Sequence, residues 1–162
     1  MKSLLSQLKT FSLRLNLSLV LLGFGFSLCV STPVQSANFR SILPEKAIAY
    51  DAPSAEAVKL YIMRQGYPVE VVVNLGAWVK VFDQRSDLSW VAGKDLDVKR
   101  TVLVTDNTEI KEKESADAKL LGMVEKDVVL ELLSPSINKG WVKVKHRDGI
   151  VGYIQSSAIW GL

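Results

Sequence analysis

Few side chains in this sequence have the chemistry of a catalyst. His146 is the single histidine and sits between Lys145 and Arg147 at a turn, where an imidazole is expected to be solvated. Acid–base or nucleophilic catalysis needs a base, a nucleophile and an orienting group within hydrogen-bond reach. Neither a histidine pair nor a cysteine cluster is there to supply one, or to ligate zinc. Gly66, Gly76 and Gly93 are spaced as turn glycines, without the spacing that cradles phosphate. Paired carboxylates such as Asp95 and Asp97 would need burial to shift their pKa values, and they read as solvated turn acids. Lys111-Glu112-Lys113-Glu114 alternates in sign and reads as a solvated strand edge. No catalytic residue, metal or cofactor is therefore expected, and the chain is not read as an enzyme. Binding chemistry remains, and the aromatic residues carry it: Tyr50, Tyr61, Tyr67, Trp78 and Trp90 cluster in one half of the chain, and such side chains favour stacking surfaces.

The elements that position these residues are written twice. Trp78-Val79-Lys80-Val81 recurs as Trp141-Val142-Lys143-Val144, an offset of 63. At that offset Trp90-Val91 meets Tyr153-Ile154, Leu88 meets Val151 and Leu96 meets Ile159. Upstream the offset is 61: Ser54-Ala55-Glu56-Ala57 meets Ser115-Ala116-Asp117-Ala118, and Val69-Glu70-Val71 meets Leu130-Glu131-Leu132. One loop, Asn74 to Ala77 against Ser134 to Gly140, accounts for the difference. A fixed period of this kind marks a duplicated structural unit.

Within each copy the apolar pattern is that of short strands. Trp141 to Val144 and Ile150 to Ile154 flank Asp148-Gly149, a hairpin signal, and Asp83 to Asp87 forms a looser turn at the same place. Pro68 suits the start of a strand. Ser54 to Met63, like Ser115 to Val124 with its Gly122, reads as loop plus strand. About five strands are expected per unit, closed by a turn near Gly93–Leu96 or Ser156–Ile159. The connector Val98 to Asp106 is strand-like, so the two units are expected to dock rigidly. Trp78 and Trp141 begin equivalent strands and read first as packing residues. Copy two has Lys111, Gly122, Val128 and Tyr153 where copy one has Tyr50, Tyr61, Tyr67 and Trp90. The lopsided aromatic content points to copy one as the ligand surface and copy two as the scaffold.

Residues 1–36 have the three parts of a cleavable secretory signal: a basic stretch from Met1 to Arg14, an apolar run from Leu15 to Val30, and small residues around Pro33. The 16-residue run is shorter than a spanning helix of about 20 residues, so no membrane span is expected after cleavage behind Ser36 or Ala37. Cys29 lies inside the run, and Leu28 before it is too large for a lipidation signal; the mature chain has no thiol. Lys2, Lys9 and Arg14 leave with the leader, and 17 Lys and Arg then face 17 Asp and Glu. A formally neutral body speaks against nucleic acid as partner.

Residues 47–97 and 107–160 each resemble a bacterial SH3-like domain. The resemblance rests on Ala49-Tyr50-Asp51-Ala52-Pro53-Ser54, Gly66-Tyr67-Pro68-Val69-Glu70-Val71, Trp78-Val79-Lys80-Val81 and Trp90-Val91 in copy one. In copy two it rests on Glu114-Ser115, Asp127 to Leu132, Trp141-Val142-Lys143-Val144 and Gly152-Tyr153-Ile154. The family's usual Arg-Ser-Gly-Pro turn is replaced by Tyr50-Asp51-Ala52-Pro53, and Glu114 stands where copy one has Pro53. The resemblance implies an all-β chain of two tandem, small, partly open SH3-like barrels after an N-terminal signal helix. The units are expected over 37–100 and 101–162, behind the signal at 1–36. It further implies no reaction of its own and a role in exported or cell-wall proteins, without implying one ligand. With the leader and the neutral body, the expectation is an exported, periplasmic, non-catalytic binding module that recognises a peptide or a peptidoglycan component of the cell envelope. The alternative is a structural or assembly protein of an envelope complex.

Overall fold

The computed structural model of the chain describes residues 37–162. The leader expected over residues 1–36, Cys29 within it and the small residues up to Ser36 lie outside the described residues. The described part is all-β, and its strand segments fall into two sets of seven. The first set is β1 (Phe39–Ile42), β2 (Lys46–Tyr50), β3 (Lys59–Arg64), β4 (Pro68–Asn74), β5 (Trp78–Phe82), β6 (Leu88–Ala92) and β7 (Leu96–Asp97). The second is β8 (Thr101–Val104), β9 (Thr108–Lys111), β10 (Leu120–Val124), β11 (Val129–Leu132), β12 (Trp141–Lys145), β13 (Val151–Gln155) and β14 (Ile159–Trp160).

The strand order is β3-β2-β6-β5-β4-β1-β7 in one sheet and β10-β9-β13-β12-β11-β8-β14 in the other, so each strand of one copy has its counterpart in the other. The register repeats as well. Trp78 pairs with Ala92 and Val79 with Val91, as Trp141 pairs with Gln155 and Val142 with Ile154. The alternation of strand side chains sends Val79, Val81 and Val91 into one core with Ile42, Ala47, Ala49, Met63 and Val69. Val142, Val144 and Ile154 enter the other, with Ile110, Leu130 and Val102. Pro68 begins its strand, and short 3-10 turns at Gly93–Asp95 and Ser156–Ala158 lead into the last strand of each sheet.

One expectation needs correction. Each unit has seven strand segments rather than about five, because β1 and β7 pair with each other, as do β8 and β14. The connector is strand, as its sequence suggested. Its Thr101–Val104 stretch is buried at every residue and pairs with both β11 and β14, so it is the opening strand of the second sheet.

The two sheets meet at a joint of specific bonds. The Thr101 hydroxyl donates to the Gly66 carbonyl at 2.6 Å, and the Ser41 hydroxyl donates to the Lys99 carbonyl at 2.8 Å. Arg100 donates to the Gly161 carbonyl at 2.9 Å while its guanidinium lies 5.4 Å from the centre of the Phe39 ring. Phe39 in turn meets Trp160 edge-on at 5.0 Å. Burial lowers the Arg100 pKa, and its Nε has no partner among the described residues.

Candidate ligand groove

The alternation in β3 turns Tyr61 and Met63 toward the barrel interior and leaves Leu60, Ile62 and Arg64 outside. Tyr61 reaches the turn that joins β5 to β6. There the Asp83 carboxylate, 1% exposed, accepts hydrogen bonds from the amides of Arg85 at 2.9 Å and Asp87 at 3.0 Å. It also accepts from the Tyr61 hydroxyl at 3.2 Å and from the Arg85 guanidinium, whose nearest nitrogen is 3.1 Å away. A carboxylate that bonds amides two and four residues ahead is a turn-former, and Ser86 takes the left-handed backbone conformation that closes this turn. A buried charge is tolerated because it is paired and fully hydrogen-bonded.

Arg85 lies over the Tyr61 ring, 4.5 Å from its centre, and Asp83 raises its pKa by hydrogen bonding. The Tyr61 hydroxyl is also 3.3 Å from that of Ser89. Burial raises the Tyr61 phenol above its ordinary range, and the Asp83 charge adds to the rise. Burial raises the Tyr67 phenol too, with Asp83 again contributing. These side chains line a cleft of about 420 Å³ together with Arg64, Gln65, Gln84 and, from the second sheet, Asp127 and Val129. Arg64, Gln65, Asp127 and Val129 also border a second lobe of about 670 Å³, which extends to the turn between β12 and β13. The groove thus runs between the two halves, with equivalent hairpin turns, Asp83–Asp87 and His146–Ile150, at its two ends. Phenol rings, amides and a guanidinium edge line the first lobe, in a volume ordinary for binding sites.

The five aromatic candidates fall in two places. Tyr61 and Tyr67 line the groove. Tyr50, Trp78 and Trp90 share the outer face of β2, β6 and β5, where Tyr50 pairs with Trp90 and meets Trp78 edge-on at 5.2 Å. Lys80 lies 5.9 Å from the Trp90 ring, and Lys143 lies the same distance from Tyr153 in copy two, so this contact belongs to the repeated framework. Trp141 is buried, as its packing reading expects.

Two charged residues depart from expectation. The His146 side chain is only 17% exposed, its Nδ1 3.2 Å from Asp148 Oδ2, because the hairpin folds back over it. Lys111 is 12% exposed and paired with Glu109 at 2.7 Å, because it stands opposite Tyr153 inside the sheet rather than at a solvated edge. Sequence reasoning missed Asp83, Arg85, Arg64 and Gln65. The signal for Asp83 was its place opposite His146 in the repeat, an acid within a hairpin turn.

Two segments, residues 44–97 and 114–161, match the family profile described as the bacterial SH3 domain. Among solved structures, the chain is similar to two from Trichomonas vaginalis. One, titled as the structure of NlpC2, has 14% identity and a TM-score of 0.37, with 79% of this chain and 49% of that one covered. The other, NlpC1, has 15% identity and a TM-score of 0.37, with 82% and 48% covered. An NlpC/P60 family protein from Bacillus cereus has 18% identity and a TM-score of 0.34, with 75% and 55% covered. The chain thus spans about half the length of each of these structures. No curated protein matches it.

Proposed function

The chain belongs to the bacterial SH3 domain family, and on that premise we propose that it is an exported, non-catalytic module that binds a peptide, either a peptidoglycan stem or a protein segment of the cell envelope. One observation carries this reading: an open groove lined by Tyr61, Tyr67 and Arg85 around a buried, fully bonded Asp83. Asp83 is tied to the turn and to Arg85, so the groove offers stacking rings and hydrogen-bond donors rather than a free base. A periplasmic location is part of this proposal, and the signal-like sequence of residues 1–36 supports it. No helix among the described residues is long and apolar enough to cross a membrane.

Co-sedimentation with purified peptidoglycan sacculi tests the proposal. The protein is expected to pellet with them, and Tyr61→Ala combined with Arg85→Ala is expected to leave it in the supernatant. Trp90→Ala, on the outer face, separates the two aromatic groups: loss of pelleting in that variant alone would move the site to the outer face. A second reading, assembly into an envelope protein complex, has its own support. That outer face also exposes Leu60 and Leu88, apolar side chains of the kind that meet other proteins. Crosslinking in intact cells that captures only proteins, with no pelleting on sacculi, would favour it.

A further inference from the structure

The second lobe of the groove differs in charge from the first. In copy one the hairpin turn contributes Asp83, which is buried and bonded to Arg85. In copy two the equivalent stretch contributes Lys145, His146 and Arg147. Arg64 at the end of β3 and Lys145 at the end of β12 are exposed, and neither makes an ion pair or a side-chain hydrogen bond among the described residues. Lys99 is satisfied by Glu131 at 3.0 Å, which leaves Asp127 as the unpaired acid of this lobe. The repeat-matched turns thus differ: Asp83 is buried and bonded to Arg85 in one copy, whereas in the other Asp148 pairs at the surface with His146 and Arg147 and Lys145 is left unpaired, so the groove is polarised along its length.

We propose that the groove binds an acidic peptide, with its backbone and apolar parts on Tyr61 and Tyr67 and its carboxylates on Arg64 and Lys145 in the second lobe. This deepens the peptide-binding reading above and rests on it. Arginine and lysine bind carboxylates through short charge-assisted hydrogen bonds, and because Arg64 and Lys145 are exposed the attraction is screened by salt. A polyanion such as nucleic acid is disfavoured, since the basic residues of 37–162 are balanced by an equal number of acids. The floor also includes Gly66, whose left-handed backbone keeps the wall low; a Cβ there would stand 3.3 Å from Val129 Cγ1.

The test is an NMR amide-shift titration of the purified protein with two pentapeptides, one alternating alanine with glutamate and one alternating alanine with glutamine. The acidic peptide is expected to bind at least about tenfold more tightly, a difference that shrinks as salt is raised. Arg64→Ala with Lys145→Ala is expected to abolish the preference, whereas Lys113→Ala, away from the groove, leaves it intact. Equal binding of both peptides, with both weakened by Tyr61→Ala, would overturn the acidic assignment and leave peptide binding standing. A preference for glutamate that survives removal of both cations would overturn it too. If neither peptide shifts any resonance at millimolar concentration, both the inference and the reading beneath it fail.

Discussion

Tyr61 shows how one side chain can join framework to function. Its hydroxyl ends on a carboxylate that is 1% exposed, so removing it leaves Asp83 one donor short in a place water does not reach. Tyr61→Phe is expected to cost about 1.5–3 kcal/mol, the range for a hydrogen bond to a charged group, read as a lower denaturation midpoint in urea. Titration of the same groove makes a second prediction. Burial raises the Tyr61 and Tyr67 phenols, so both ionise more readily in the unfolded chain than in the folded one. Their contribution is complete below the ordinary phenol value of about 10 and is lost as pH climbs through the raised folded values. Unfolding free energy measured between pH 8 and pH 11 should therefore fall above about pH 10, and less steeply in a Tyr61→Phe, Tyr67→Phe double variant. None of this was legible from residue type alone. A tyrosine on a strand and an aspartate in a turn become partners only when the barrel brings positions 61 and 83 together.

At the scale of elements the repeat was the most readable feature, because alternation and hairpin signals act over a few neighbouring residues. The strand-leading tryptophans, the turns after Phe82 and Lys145, and the loop-plus-strand segments all stand where period and turn chemistry put them. The copies differ in how they fill equivalent space. Copy one sets Ala49 near Ser89, and copy two sets Ile110 near Gly152. A Cβ at Gly152 would lie 2.5 Å from both Ile110 Cγ2 and the Lys111 carbonyl oxygen. Gly152→Ser copies the residue of the sister strand, yet it should destabilise the protein by about 3 kcal/mol through overpacking. Adding Ile110→Ala should recover part of that loss in thermal or urea melts, whereas recovery of none would mean that the backbone clash dominates. The short strands β1, β7 and β14 were not legible, since segments of two to four residues carry too little pattern to be told from loop.

At the scale of the whole molecule the joint and the groove are one problem. Thr101 lies outside the groove lining, yet its hydroxyl holds the carbonyl of Gly66, which borders the second lobe. Thr101→Val keeps the shape and removes the bond. It is expected to cost about 1 kcal/mol in urea unfolding and to weaken peptide binding in the NMR titration, although residue 101 does not line the site. A stability loss with unchanged binding would show that the joint and the groove are independent. Rigid docking was anticipated from a connector without glycine, serine or proline. The structure folds that connector into the second sheet, where Val102 and Val104 are fully buried.

The amino-acid order by itself determined the class of this protein: all-β, duplicated, tryptophan-led, with an acid–base inventory too sparse for an evident catalytic constellation. Those properties are local, written in alternation, turn residues and a constant offset, and they survive without knowledge of which surfaces meet. Tertiary structure alone decided that Tyr61 and Tyr67 part company with Tyr50, Trp78 and Trp90, that Asp83 is buried against a cleft, and that residues of both copies line one groove. Each of these depends on closing sheets over separations of twenty to eighty residues. The deciding quantities, which face turns inward and which charge loses its water, are set by contacts that no short window of sequence contains.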